Sequence, residues 1–219
     1  MDLNIIFEDD SFLILNKPSS LATHPSILHF DNSLLNGIKY YYDSIGLQVK
    51  LRPINRLDRD TSGIIIIAKN QYVQECLIKQ MKANIFKKEY LTLVEGHLKN
   101  SSGVINVPIA RKENSIIERC VSNDGVQAIT HYSVIKNFDN YSLLKINLET
   151  GRTHQIRVHM AYIGNPILGD TLYGTASSLI SRQALHSWKI SFIHPITNVP
   201  LSIEANLPND MMSLVDNIF

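Results

Sequence analysis

The hydrophobic positions fall into short segments of two distinct periods. Asn4-Ile5-Ile6-Phe7 and Phe12-Leu13-Ile14-Leu15, on either side of an acidic turn, predict a hairpin of two short strands. Leu34, Leu35, Ile38, Tyr41, Tyr42 and Ile45 then recur at helical spacing, with Asp31 or Asn32 as the expected N-cap and Gly46 as the stop. The apolar run at residues 64–68 predicts a buried strand, and Asn70 is placed to cap a helix carrying Val73, Leu77, Ile78 and Met81. Strand-like stretches follow at residues 89–94, 128–135, 143–148, 188–192 and 201–205. One helix interrupts them, with Thr153 as its expected cap, Ile156, Met160 and Ile163 as its buried stripe, and Gly164 as its end. Strands without regular helical crossovers predict an α+β fold on a mixed, largely antiparallel sheet with flanking helices. No GxGxxG or GxxxxGK[ST] segment offers a phosphate cradle for a nucleotide.

No repeat, linker or low-complexity tract divides the 219 residues, so a single domain over 1–219 is expected. A hydrophobic fraction of 44% with 19% charged residues excludes a disordered chain. The longest apolar run, residues 64–68, is far short of the ~20 residues that cross a bilayer. The first residues lack a basic segment leading into an apolar one, which argues against a secretory signal. Cys76 and Cys120 stand alone, as suits a cytoplasmic protein in a reducing compartment. The net charge is only +1 but is unevenly spread. Residues 1–50 carry three Lys against six acids, whereas residues 51–115 carry eleven Lys or Arg against six acids. That basic middle third is either a phosphate-facing surface or an ordinary solvated face.

Three segments concentrate the candidate chemistry. Arg52 to Gly63 is dense in charge and turn formers and leads straight into the strand at Ile64, a rigid platform for a polar loop. Asp58 lies there between Arg56 and Arg59, beside Asp60; the alternative is an exposed loop with local ion pairs. The second segment, Glu149 to Met160, places Arg157 one turn beyond His154, on the face opposite Ile156 and Met160. Arg152, His154, Arg157 and His159 cluster there, a pattern suited to a phosphate or carboxylate. A metal reading would use His154, His159 and Asp58 or Asp170, but histidines five apart diverge on a helix, unlike those of HExxH. The third segment, Lys87-Lys88-Glu89-Tyr90-Leu91, starts a strand with Lys88 and Tyr90 on one face; Tyr90 stacks on a base or belongs to the core.

Together these segments resemble the RluA-type pseudouridine synthases. Asn55 to Gly63 matches the family's HRLDxxTSG stretch except at its first residue. Asn16-Lys17-Pro18 with His24-Pro25 is similar to its NKP…HP segment, Lys88-Glu89-Tyr90 to its KxY strand, and residues 151–159 to its GRTHQIRVH motif. Residues 166–170 with Tyr173-Gly174 resemble its PILGD…YG turn, and Leu185-His186 and His194-Pro195 its closing strand. Asn55 stands where the family has His, and Ser20 where Gly often follows Lys-Pro. The match resembles compact members without an N-terminal S4 domain, since the catalytic hairpin begins near residue 4.

The resemblance implies an RNA pseudouridine synthase, an isomerase that breaks the uridine N1–C1′ bond, turns the base and rejoins it through C5. It implies RNA, ribosomal or transfer, as partner, a monomer, and neither a metal nor a nucleotide cofactor. By resemblance Asp58 is the catalytic carboxylate, acting as nucleophile or as base and charge stabiliser. Arg157 is its cationic partner, and Tyr90 stacks on the target uracil. Arg56 fills the place vacated by a flipped base, and Lys88, Arg152 and His154 contact RNA. Two other readings stay open: a catalytically silent RNA-binding module of the same fold, and a metal-dependent hydrolase on His154, His159 and Asp170.

Overall fold

The structure is a computed structural model and describes residues 2–25 and 30–215. In chain order the elements are β1 (Ile5–Glu8), β2 (Phe12–Lys17), α1 (Leu34–Ser44), β3 (Arg52–Pro53), β4 (Ser62–Ala68), α2 (Gln71–Lys82), β5 (Lys87–Glu95) and β6 (Ser102–Asn106). They continue with β7 (Ile109–Arg111), β8 (Arg119–Val121), β9 (Ile129–Asn137), β10 (Tyr141–Leu148), α3 (Gln155–Tyr162), β11 (Leu185–Ile193), β12 (Pro200–Glu204) and α4 (Asn209–Met212). The chain forms two compact units. The first takes the residues through Lys88 and returns for Ser187–Pro208; the second takes Glu89–His186 and the residues from Asn209 onward.

In the first unit β1 pairs antiparallel with β2 and β2 with β4, while β3 adds a short antiparallel pairing to β4 and β12 one to β11. Residues alternate in direction along a strand, so Phe12, Ile14, Ile64, Ile66 and Ala68 all enter one core. Val73 and Leu77 of α2 and Ile190 and Phe192 of β11 complete it. Leu13, Leu15, Ile65 and Ile67, on the opposite face, are at most 1% exposed, so β4 is buried on both sides. That double burial explains an unbroken apolar run where a half-buried strand would alternate. Asn70 caps α2 as its position predicts, accepting the Val73 N–H. The cap of α1 is Ser33, not Asp31 or Asn32: Ser33 and Asn36 form a reciprocal capping box.

In the second unit the antiparallel order is β5-β10-β9-β6, with Tyr90 opposite Ile146 in the register. β7 and β8 form a separate two-stranded sheet. β6, β7 and β8 carry no long hydrophobic run and are not evident in the periodicity. The expected cap of α3 at Thr153 is also corrected: the helix starts at His154, which adopts a left-handed backbone with φ 57° and makes no side-chain cap. Gln155 takes over the task. Its Oε1 accepts from the Arg152 N–H and the Thr150 hydroxyl, while its Nε2 donates to the Ile129 carbonyl and to Thr130. The helix has no polar outer face, since every residue from Gln155 to Met160 is buried. Arg157, placed opposite Ile156 and Met160 by helical spacing, is therefore buried as they are.

Candidate active site

The Asp58 loop belongs to the first unit, and its backbone is tied at nearly every residue. Ile54 donates its N–H to the Ile66 carbonyl, extending the β3–β4 ladder. Asn55 continues that ladder with its side chain, donating from Nδ2 to the Ile64 carbonyl (2.8 Å) and accepting the Ile66 N–H (3.0 Å). A carboxamide sets an N–H donor beside a C=O acceptor, as a peptide does, and so stands in for a strand residue. The buried Thr23 hydroxyl donates to the Leu57 carbonyl (3.0 Å), and Leu57 itself is 6% exposed. The Asp58 carbonyl accepts the Thr61 N–H across a tight turn, and the Arg59 carbonyl accepts from the Leu21 N–H.

Lys17 locks this loop to its neighbour. The side chain is fully buried, and Nζ donates to the carbonyls of Pro18, Leu21 and Arg59 at 2.7–2.9 Å. Three acceptors match the three donors of an ammonium group, which is what makes burying it tolerable. Behind the loop, Gly63 has φ 112°, and an added Cβ would sit 2.2 Å from the Ser187 carbonyl oxygen. Only glycine fits there. Ser20 also takes a left-handed backbone, φ 59°, where the family often has glycine. Arg56 is exposed, and burial together with the Arg56 charge holds the His24 pKa below the ordinary histidine value. Arg59 pairs with Asp60 at the surface.

The Arg157 centre belongs to the second unit. Its Nε and Nη2 donate to the two oxygens of Asp170, each at 2.7 Å, in a bidentate pair that is 8% and 0% exposed. Asp170 Oδ1 also accepts the N–H groups of Leu172 and Tyr173. The turn that positions it depends on Gly169, φ 75°, whose Cβ would meet the Arg182 carbonyl at 2.4 Å. The Arg157 guanidinium lies over the Tyr173 ring, 5.0 Å from its centre. The Tyr173 hydroxyl accepts the Arg119 N–H and stands 2.8 Å from His154 Nδ1. The arginine is thus held edge and face before any substrate arrives.

The comparisons with known proteins fit this arrangement. The profile of the RNA pseudouridylate synthase family matches residues 11–162. The uncharacterized RNA pseudouridine synthase YjbO of Bacillus subtilis is 43% identical over 213 residues, 97% of this chain and 75% of its own. The chain belongs to the RNA pseudouridylate synthase family. It is similar also to the ribosomal large subunit pseudouridine synthase D of Blochmanniella floridana, 38% identical over 97% of this chain and 72% of that one. Among solved structures, the human RNA pseudouridylate synthase domain containing 1 superposes with a TM-score of 0.75 at 25% identity, over 94% of this chain and 83% of that one. The synthase is accordingly an isomerase with the α+β fold of its relatives.

Its predicted site residues are distributed over both units. Asp58 and Arg56 lie on the tied loop, and Lys88, half-buried with its pKa lowered by burial, ends the first unit's main stretch. Tyr90, Arg152, His154 and Arg157 lie in the second. Tyr90 is 6% exposed on β5. Arg152 is exposed, and its Nε donates to the Gln127 carbonyl. The residues of the metal reading are engaged within the protein. Both ring nitrogens of His159 are bonded, to Thr130 and to the Val107 carbonyl, and Asp170 serves Arg157. No group of three or more His, Cys, Asp or Glu side chains suited to a metal occurs among the described residues. Likewise among them, no helix is long and apolar enough to cross a membrane. The sequence reading missed Asp170 as the partner of Arg157, Thr23 and Lys17 as loop anchors, and Tyr173 as the floor beneath the arginine. An acid next to a glycine in PILGD…YG was the one available signal.

Proposed function

We propose that the synthase converts uridine to pseudouridine in structured RNA with Asp58 as the catalytic carboxylate. In the reaction the N1–C1′ bond breaks, the uracil turns, and a C5–C1′ bond forms; C5 gives up its proton and N1 ends with one. Nothing is oxidised and no group enters, so a carboxylate, a cation and a stacking surface suffice. Arg157 stabilises the ionised carboxylate, Tyr90 stacks on the uracil, and Arg56 fills the gap left by the extruded base. The observation that carries the reading is the tied loop. Asn55, Thr23 and Lys17 fix the backbone on both sides of Asp58, while Arg56 beside it is left exposed. Such fixation is what a reacting carboxylate needs and a solvated loop does not. The relatives named as ribosomal large subunit synthases favour ribosomal RNA over transfer RNA as substrate.

The test uses RNA carrying tritium at uridine C5, because the label leaves only if C5 bonds to the sugar. Wild-type protein should release it from a fraction of large-subunit ribosomal RNA. Asp58→Asn should abolish release while keeping RNA affinity within about tenfold, since the carboxylate does chemistry and makes few binding contacts. Near-normal release by that variant would remove Asp58 from the mechanism. Tight binding with no release by the wild type would make the protein a silent RNA-binding module.

A further inference from the structure

The second unit has a cavity of about 380 Å³ in which Arg152, already an expected RNA contact, is joined by Arg111, Arg119, Thr153 and Asp124. Three guanidinium groups against one carboxylate leave it strongly cationic. The groups are also held in place. Arg111 Nη1 donates to the Ile116 carbonyl, Arg119 Nη1 to those of Ile117 and Glu118, and Arg152 Nε to that of Gln127. These three arginines have no carboxylate partner among the described residues, so their charge is not neutralised by the protein.

The cavity wall is built as deliberately as the Asp58 loop. Ile109 and Val126 exchange both backbone hydrogen bonds, and a Cβ on Gly125 would lie 2.5 Å from the Ile109 carbonyl carbon. The wall closes only because residue 125 has no side chain. Arg119 in the lining is fixed by its N–H bond to the Tyr173 hydroxyl, and the Tyr173 ring supports Arg157. A single hydrogen bond thus links the cavity lining to the Arg157 centre.

We infer that this cavity seats a phosphodiester of the RNA chain, with Arg111, Arg119 and Arg152 as its cationic partners. The inference rests on the RNA substrate of the proposed function and extends it to a second anchoring point. Planar guanidinium forks pair with phosphate oxygens two at a time, and a volume of this size holds a phosphate with part of a flanking sugar. The β7–β8 hairpin, which supplies Arg111 and Arg119, is thereby an RNA-gripping element and not merely a surface excursion.

The experiment measures affinity for one RNA stem-loop across a range of KCl. Each phosphate neutralised contributes roughly 0.7–0.9 to the slope of log K against log salt. The double variant Arg111→Gln/Arg119→Gln should bind about tenfold more weakly at ~0.1 M salt and lose about one such increment of slope. The charge-preserving Arg111→Lys/Arg119→Lys variant should recover most of the slope. Asp124→Asn, which removes the one opposing charge, should tighten binding about two- to fivefold, an effect no structural role of Asp124 produces. A parallel titration of the protein with inorganic phosphate alone, up to ~5 mM and without RNA, distinguishes the source. If wild type and the Gln variant differ in taking up free phosphate yet bind the RNA with equal affinity, the cavity takes a small anion only and the inference falls. An unchanged slope in a Gln variant that melts like wild type also overturns it. Tritium release by the wild type on the same RNA is scored separately. Release with an unchanged slope refutes the cavity alone, and a lowered slope without release refutes the proposed reaction alone.

Discussion

Replacing Asp170 by Asn removes one charge from the Arg157 pair while keeping the shape of the side chain. Both partners are nearly or wholly out of water, and the two bonds are 2.7 Å long. Removing one member of such a pair strands the other charge in a poorly solvated place, at a cost of about 3–5 kcal/mol. Asn still offers an oxygen to the Leu172 and Tyr173 N–H groups and to one guanidinium N–H, which places the loss near the lower bound. For a chain of this length each kcal/mol shifts the melting point by roughly 2–4 °C, so Tm should fall by about 6–12 °C. Arg157→Met should cost a similar amount. In the double variant neither charge is left alone, and the coupling should be about 3 kcal/mol, leaving it about as stable as either single change. Tritium release by Asp170→Asn, measured well below its melting point at saturating RNA, should drop at least tenfold, because Arg157 loses the partner that aims it. An additive cycle, or an Asp170→Asn melting point within about 2 °C of wild type, would show that the pair does not hold Arg157 as argued.

Three further outcomes follow from other parts of the structure. Arg56→Ala should slow single-turnover release strongly on a folded stem-loop and less on a short single strand, because extruding a stacked base costs a few kcal/mol; equal losses on the two RNAs would reduce Arg56 to a backbone contact. Ser20→Gly should raise stability by about 0.5–1 kcal/mol, since a left-handed backbone costs a non-glycine residue about 1–2 kcal/mol and glycine's extra unfolded entropy returns part of that; a lower Tm would contradict it. Burial pushes the His159 pKa down, only partly offset by its bond to the Val107 carbonyl, so the unfolded chain takes up that proton first. Stability should be complete above about pH 6.5 and decline as the pH falls from there through the folded value. Urea midpoints between pH 7.5 and 5 should show the decline, and His159→Asn should flatten it; an equally steep curve in the variant would assign it to another group.

Much of the first unit was legible because its signals are local. An unbroken apolar run announced β4, and Asn70 capped α2 where it stood. The second unit was harder. β6, β7 and β8 are short and edge-like, so their residues carry little hydrophobic pattern. α3 was recognised as a helix, and its polar residues were read as a cluster suited to a phosphate or carboxylate without sight of the protein groups that hold them. Arg157 and His159 are buried instead because their partners, Asp170, Thr130 and Val107, come from elsewhere in the chain. No periodicity reports such pairings. The same is true of Asn55: the motif flagged it only as a departure from His, whereas its bonds to β4 give the residue a role of its own.

The close approach of Gly63 to Ser187 has a consequence for how the protein is made. Synthesis runs from the N-terminus, so the residues carrying Asp58 leave the ribosome long before β11 exists. Until β11 arrives, the backbone against which Gly63 closes is missing behind the loop that carries Asp58, the proposed catalytic carboxylate. A half-made copy therefore holds the loop by ties from residues 17–66 but lacks the strand packed behind it. Tyr90 and Arg157, which the proposed reaction also needs, follow Asp58 in the chain, so the proposed set of residues is complete only late in synthesis.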